Sequence, residues 1–244
     1  MDAQFGQRGG TGIAENLRMV REKIRRAAAA AGRSPDDVQL IAVSKTFPVD
    51  AIREAAAAGQ TCFGENRVQE AEPKIGQFGG GQRLEWHLVG HLQSNKARKA
   101  CELFDVIHSL DSVRLAHRVS QCCLELNRNI SLLLQVDLGN EATKSGANPA
   151  EVPGIVEAVS ALGGIRLDGL MTLPPFFENP EETRPYFSRL RRLLEAVEAE
   201  RPGCLGRRQL SMGMSHDFEI AVQEGSTMVR IGTSIFGART YDRA

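Results

Sequence analysis

Nowhere in this sequence do apolar residues run on for the ~20 positions that a membrane-crossing helix needs. It has no surplus of either charge: thirty Lys and Arg balance thirty Asp and Glu, so no overall field would gather nucleic acid or an anionic membrane. The opening MDAQFGQRGGTG has no basic segment followed by an apolar stretch, so no secretory signal is expected, and residues 1–12 read as a frayed, disordered tail. The five cysteines are odd in number and form no CxxC pair. They fit reduced thiols of a cytoplasmic protein better than a disulfide framework. The five histidines are scattered, without the short Cys/His spacing of a metal site, so no metal is expected. A composition break, a Pro/Ser linker and a 20–50-residue repeat are also absent, which makes residues 13–244 one domain.

What is present is ordinary globular material. The chain has 244 residues, 42% of them hydrophobic, enough for one large core. It opens with a long helix in which Ile13, Leu17, Val20 and Ile24 form one apolar stripe, stopped by Gly32. Eight apolar, β-branched runs follow, at 38–44, 61–64, 85–90, 105–110, 130–138, 165–173, 208–213 and 227–232. Helix-like stretches separate them: one with an acidic cap at Asp50, one with Val113, Ala116, Val119 and Cys123 on a single face, and one capped by Asn179 before Pro180. The segment GQFGGGQ (76–82) reads as a flexible loop, and the basic runs NKARK (95–99) and RLRR (189–192) as solvated helix faces. Strands alternating with helices predict parallel pairing, and eight of them predict a single α/β domain, a (β/α)8 TIM-type barrel with an extra N-terminal helix. An open doubly wound sheet is the alternative.

In such a barrel, chemistry sits where the strands end. After the first run comes Lys45, an amine at the mouth of an apolar strand, where desolvating it is costly. The seventh mouth, SMGMSHD, offers Ser211 and Ser215 beside Gly213, and the eighth, GTS, offers backbone amides and two more hydroxyls. Those are the two mouths where barrels commonly bind phosphate. Arg230 interrupts the apolar run MVRIG and needs a partner: an acid such as Glu65 at the barrel end, or an acceptor on a ligand. A lysine, an arginine and a phosphate cradle around one mouth suit pyridoxal 5′-phosphate, whose aldehyde condenses with a desolvated amine.

The segments LIAVSKTFP, FGENRVQEA, EWHLVGHLQSNK, LDGLMTLPP, LSMGMSHDFEIAV and VRIGTSIFG closely resemble the pyridoxal phosphate homeostasis protein family, the YggS/PROSC group. The match runs in order from about residue 13 to the end. It implies a barrel like the N-terminal domain of alanine racemase, with the cofactor held as a Schiff base on Lys45. It implies that Ser211, Ser215, Gly232 and Thr233 bind the phosphate and that Arg230 faces the pyridine nitrogen. Val43, Asn66, His87, Met171 and Met212 match positions that line the family's cofactor pocket. His87 would share the inward face of its strand with Glu85 and Val89 if Trp86 points outward. The partners implied are the cofactor and the cofactor-dependent client enzymes that would receive it, with the chain itself a monomer or weak homodimer.

Two further readings compete with a cofactor carrier. A racemase on this barrel needs a proton donor opposite the lysine. The chain has only two tyrosines, with Tyr186 in the sixth crossover helix, on the outside of the barrel, and Tyr241 in the tail. A Schiff-base aldolase would keep the lysine but leave Arg230 and the two phosphate-like mouths unexplained.

Overall fold

The computed structural model describes residues 12–78, 83–139 and 145–238. The expected tail (apart from Gly12), the glycine cluster of the 76–82 loop, and Tyr241 lie outside them. In chain order the elements are α1 (Ile13–Ala30), β1 (Gln39–Val43), α2 (Val49–Ala57), β2 (Cys62–Glu65), α3 (Val68–Ile75), β3 (Glu85–Leu88), α4 (Ala97–Leu103), β4 (Val106–Leu110) and α5 (Val113–Glu125). They continue with β5 (Ile130–Gln135), α6 (Val152–Ser160), β6 (Ile165–Met171), α7 (Arg184–Glu200), β7 (Gln209–Met214), α8 (Phe218–Gln223), β8 (Met228–Ile231) and α9 (Thr233–Phe236).

Each strand pairs in parallel with the next, and β1 pairs with β8, with Gln39 opposite Met228 and Ala42 opposite Ile231. The sheet is therefore a closed barrel, which excludes the open doubly wound alternative. Strand side chains alternate between an outer apolar layer beneath the helices and an interior that mixes apolar and polar groups. On β1, Ile41 points inward to Leu133, Met171 and Met228, while Leu40 and Ala42 join the outer core beneath the helices. Trp86 belongs to that outer core, its ring centroid 5.6 Å from that of Phe63, so His87 on the same strand faces inward as expected.

Helix α1 buries Leu17, Val20, Ile24, Ala27 and Ala28, with Ile13 only partly covered. It ends at Gly32, whose φ of 66° lets the Gly32 amide donate to Ala29 O and the Arg33 amide to Ala28 O. That pairing satisfies two carbonyls the helix end would otherwise leave open. Two expected caps fall elsewhere. Asp50 lies inside the first turn of α2, after Pro48, and Asn179 caps a short 3-10 turn over Pro180–Thr183 that precedes α7. Each crossover helix fixes where its strand stops, and the eight strand ends gather at one mouth.

Candidate ligand-binding site

A cavity of about 590 Å³ opens at that mouth. Its first wall comes from β1 and β2. The Ser44 amide donates to Gly64 O at 2.9 Å, extending the ladder one residue past β1. Lys45 follows, half-buried on the cavity wall. The next residue, Thr46, has φ 68°, a left-handed conformation that a β-branched residue adopts only under constraint. The constraint is the Glu70 carboxylate, which accepts the Thr46 amide. Lys74 holds that carboxylate from α3, with Nζ 2.9 Å from Glu70 Oε1, 2.9 Å from Glu65 Oε1 and 3.0 Å from Ser44 O. Ser44 Oγ donates to the same Glu65 oxygen at 2.7 Å. Burial pushes the Glu65 carboxyl up, against the pull of Ser44 and Lys74. On Glu70 burial also acts upward, but the Thr46 amide and Lys74 outweigh it and the net shift is down. A buried ion network thus bends the backbone directly after the mouth lysine.

The opposite wall comes from β7 and β8. The backbone amides of Gly232 and Ser234 both donate to Ser215 Oγ, at 3.3 and 3.4 Å, so two amides and a hydroxyl converge on one point. Gly232 lies close to β1: a Cβ there would sit 3.1 Å from Val43 O. Gly213, at φ 93°, is fixed more firmly, because a Cβ would meet that of Ala221 at 2.5 Å. Only glycine lets β7 pass α8 at this point.

Arg230 closes the cavity from beneath, only 4% exposed. Its guanidinium donates to Ser211 Oγ and, at 3.0 Å, to Thr172 O. Burial brings its pKa down to about 10, with the charge of Asp217 opposing, so it stays protonated at neutral pH. Behind it a polar chain runs down the barrel: Ser211 Oγ is 2.8 Å from His108 Nδ1, and His108 Nε2 is 2.9 Å from His87 Nδ1. Burial first, then the neighbouring His87 and Arg230, push the His108 pKa well below its ordinary value. His108 is therefore a neutral link in this chain.

The structure sorts the expected residues into two groups. Val43, Lys45, Asn66, Ser215, Arg230, Gly232 and Thr233 all line the cavity. Ser211, His87, Met171 and Met212 do not. Ser211 is wholly buried and bonded to Arg230 and His108, so its hydroxyl supports the arginine instead of joining the amide cradle. His87 lies deeper in the barrel, Met171 packs in the inner apolar cluster, and the Met212 side chain faces the outer core. Glu65 is not the partner of Arg230; Ser44 and Lys74 occupy it. Sequence reasoning missed the roles of Ser44, Glu70, Lys74, His108 and Asp217. The four-residue spacing of Glu70 and Lys74 on α3 was the one available signal.

A closed (β/α)8 barrel whose mouth joins a strand-end lysine, a buried arginine and paired backbone amides is the architecture of a small-molecule binding barrel. Comparison with known proteins gives the family. Residues 15–240 match the alanine racemase N-terminal domain family. The pyridoxal phosphate homeostasis protein of Vibrio alginolyticus is 43% identical over 232 residues, covering 94% of this chain and 98% of that protein. PipY of Synechococcus elongatus PCC7942, solved with PLP bound, superposes with a TM-score of 0.82 at 44% identity, over 92% of this chain and 100% of PipY. The chain belongs to the pyridoxal phosphate homeostasis protein family, within the alanine racemase N-terminal domain fold. Alanine racemase of Clostridium difficile 630 shares that fold at a TM-score of 0.66 and 16% identity, over 93% of this chain and 58% of the racemase.

Proposed function

We propose that this chain binds pyridoxal 5′-phosphate at the mouth, holds it as a Schiff base on Lys45, and serves as a reversible cytoplasmic store that passes it to client enzymes. The observation that carries the reading is the shared cavity of Lys45, Arg230 and the Gly232–Ser215 cradle. Its volume lies within the ~300–1,000 Å³ of small-molecule sites. The residues fit the group. The amides of Gly232 and Ser234 converge as donors for a phosphate, with the hydroxyls of Ser215 and Thr233 beside them. Arg230 spends one guanidinium arm on Ser211 and one on Thr172, and its remaining N–H donors suit the ring nitrogen. The Lys45 amine would add to the aldehyde carbon with loss of water, and hydrolysis would return both, so storage is reversible.

The racemase reading lacks a mouth tyrosine as second proton carrier among the described residues. Tyr186 lies on α7, its ring centroid 5.8 Å from that of Phe177, and no tyrosine among the described residues lines the cavity. A protonated arginine at the ring nitrogen leaves that nitrogen without a proton, which weakens the ring as an electron sink. We therefore infer binding without amino-acid turnover, by a chain that is a monomer or weak homodimer. The test is absorbance of the purified protein titrated with pyridoxal phosphate, beside hydrogen exchange of L-alanine in deuterated water. A saturable imine band with exchange well below ~1 s⁻¹ supports storage; turnover above that enzyme-like rate contradicts it.

A further inference from the structure

The opposite end of the barrel carries a second cluster. Gln39, Cys62 and Glu85 are the first residues of β1, β2 and β3, with Cys62 and Glu85 directly paired in register. His87, two residues along β3, shares the inward face with Glu85. Glu85 Oε2 lies 3.4 Å from Cys62 Sγ and 3.7 Å from His87 Nε2, and the three ligand atoms lie within 4.8 Å of one another. The Gln39 side-chain amide reaches the same point, 2.9 Å from Glu85 Oε2 and 3.0 Å from Cys62 Sγ. His87 is completely buried, yet its Nε2 has no hydrogen-bond partner, because 3.7 Å is outside hydrogen-bond range. An orphaned ring nitrogen aimed at a thiol and a carboxylate points to a missing bond.

A tetrahedral ion with ~2.3 Å to sulfur and ~2.0–2.1 Å to nitrogen and oxygen separates its ligand atoms by about 3.3–3.5 Å. The two separations from Glu85, 3.4 and 3.7 Å, lie close to these values, and the Cys62 Sγ–His87 Nε2 pair, within 4.8 Å, closes as the ion binds. The outer side of His87 is also prepared. Its Nδ1 lies 2.9 Å from His108 Nε2, the kind of second bond that fixes the tautomer and orientation of a metal-bound imidazole. Cys62 and Gln39 line a surface recess of about 410 Å³ through which an ion can enter. None of the four residues lines the mouth cavity.

We propose that Cys62, Glu85 and His87 bind one divalent cation of the zinc type, with a water as fourth ligand and the Gln39 amide N–H groups donating to Cys62 and Glu85 from outside. Thiolate, imidazole and carboxylate together favour zinc-like over calcium-like ions. On binding, the Cys62 sulfur–metal bond forms and the thiol proton leaves to solvent. Because the thiolate is the ligand, affinity falls as pH is lowered. The ion also clamps β2 to β3 and so raises thermal stability.

The test uses full-length protein stripped with chelator, dialysed, and titrated with Co²⁺ as an optical probe and then with Zn²⁺ by calorimetry. One equivalent of each ion is expected, with a thiolate-to-Co²⁺ charge-transfer band that Zn²⁺ abolishes and a higher Tm in the presence of Zn²⁺. Cys62→Ala should remove the band. Both it and Glu85→Gln should weaken Zn²⁺ by more than the ~10–100-fold that loss of an outer partner costs. Glu85→Gln serves as the main variant if Cys62→Ala folds poorly. Failure to bind one equivalent, or unchanged affinity in either folded variant, would overturn the site.

Discussion

On the β7–β8 side of the mouth the polar groups are backbone amides and a hydroxyl, brought together by Gly232, Ser234 and Ser215. On the β1–β2 side they are charged side chains, with Lys74 binding Glu65, Glu70 and the Ser44 carbonyl so that Thr46 is held in a left-handed turn. The β7–β8 wall suits a ligand's charge because its donors are fixed by the fold itself. The β1–β2 wall balances its own charges and uses them to fix the direction of the chain around Lys45. Receiving an anion and aiming an amine call for different construction, and the barrel keeps them on opposite walls.

Lys74→Met should break this contrast most severely. The side chain of Glu65 is completely buried, and removing the partner of a buried ion typically costs about 3–5 kcal/mol. Burial already raises the Glu65 pKa, and losing Lys74 raises it further. A carboxyl raised in the folded state stabilises fully below its unfolded pKa and loses that contribution as pH rises through the folded pKa. The Tm deficit of the variant should therefore be largest near pH 8 and shrink toward pH 5. A deficit independent of pH would mean that Glu65 is not the group left exposed to burial.

Changes on the other wall should affect the ligand more than the fold. Gly232→Val puts branched carbons where even a Cβ comes within 3.1 Å of Val43 O, and Ser215→Ala removes the hydroxyl at the centre of the cradle. A hydrogen bond to a charged group contributes about 1.5–3 kcal/mol. Each variant should therefore bind pyridoxal phosphate ~10-fold or more weakly, with Gly232→Val the weaker of the two. Unphosphorylated pyridoxal, measured by the same fluorescence titration, should change little. Equal losses for both ligands would show that this wall does not touch the phosphate.

The smallest expected effect lies at the far end of the barrel. The neighbouring His87, 3.7 Å away and opposed by burial, holds the Glu85 carboxyl below its ordinary range. A depressed carboxyl stabilises above its unfolded pKa and loses that contribution as pH falls through the folded one. In metal-free protein, the stability difference between wild type and Glu85→Gln should be full near pH 6 and decline as pH falls below about 4.5. A difference that persists unchanged to acid would detach Glu85 from His87.

These contrasts also explain what the sequence could and could not reveal. The barrel was legible because parallel strands buried on both faces read as apolar runs, and Gly32 marks the end of α1 with the φ it requires. The β7–β8 wall was legible because its donors sit in two short Ser/Gly segments. Lys45 and Arg230 stood out because a charge interrupts or ends an apolar strand. The Lys74 network was hidden, since a lysine in a polar helix looks like any solvated one until α3 is laid against Ser44. Ser211 misled for the opposite reason: its place in a Ser/Gly mouth suggested the cradle, but strand alternation turns it inward to Arg230. Cys62, Glu85 and His87 form no compact motif, because pairing of β2 with β3 brings them together.

The central claim is that the mouth lysine, and no other amine, holds the cofactor covalently. Borohydride reduction of protein loaded with pyridoxal phosphate, followed by peptide mass mapping, tests it directly. The account predicts a single reduced adduct on Lys45, absent in Lys45→Ala even where residual non-covalent binding persists. An adduct on Lys74, Lys96 or Lys144, or one that survives in Lys45→Ala, would contradict it.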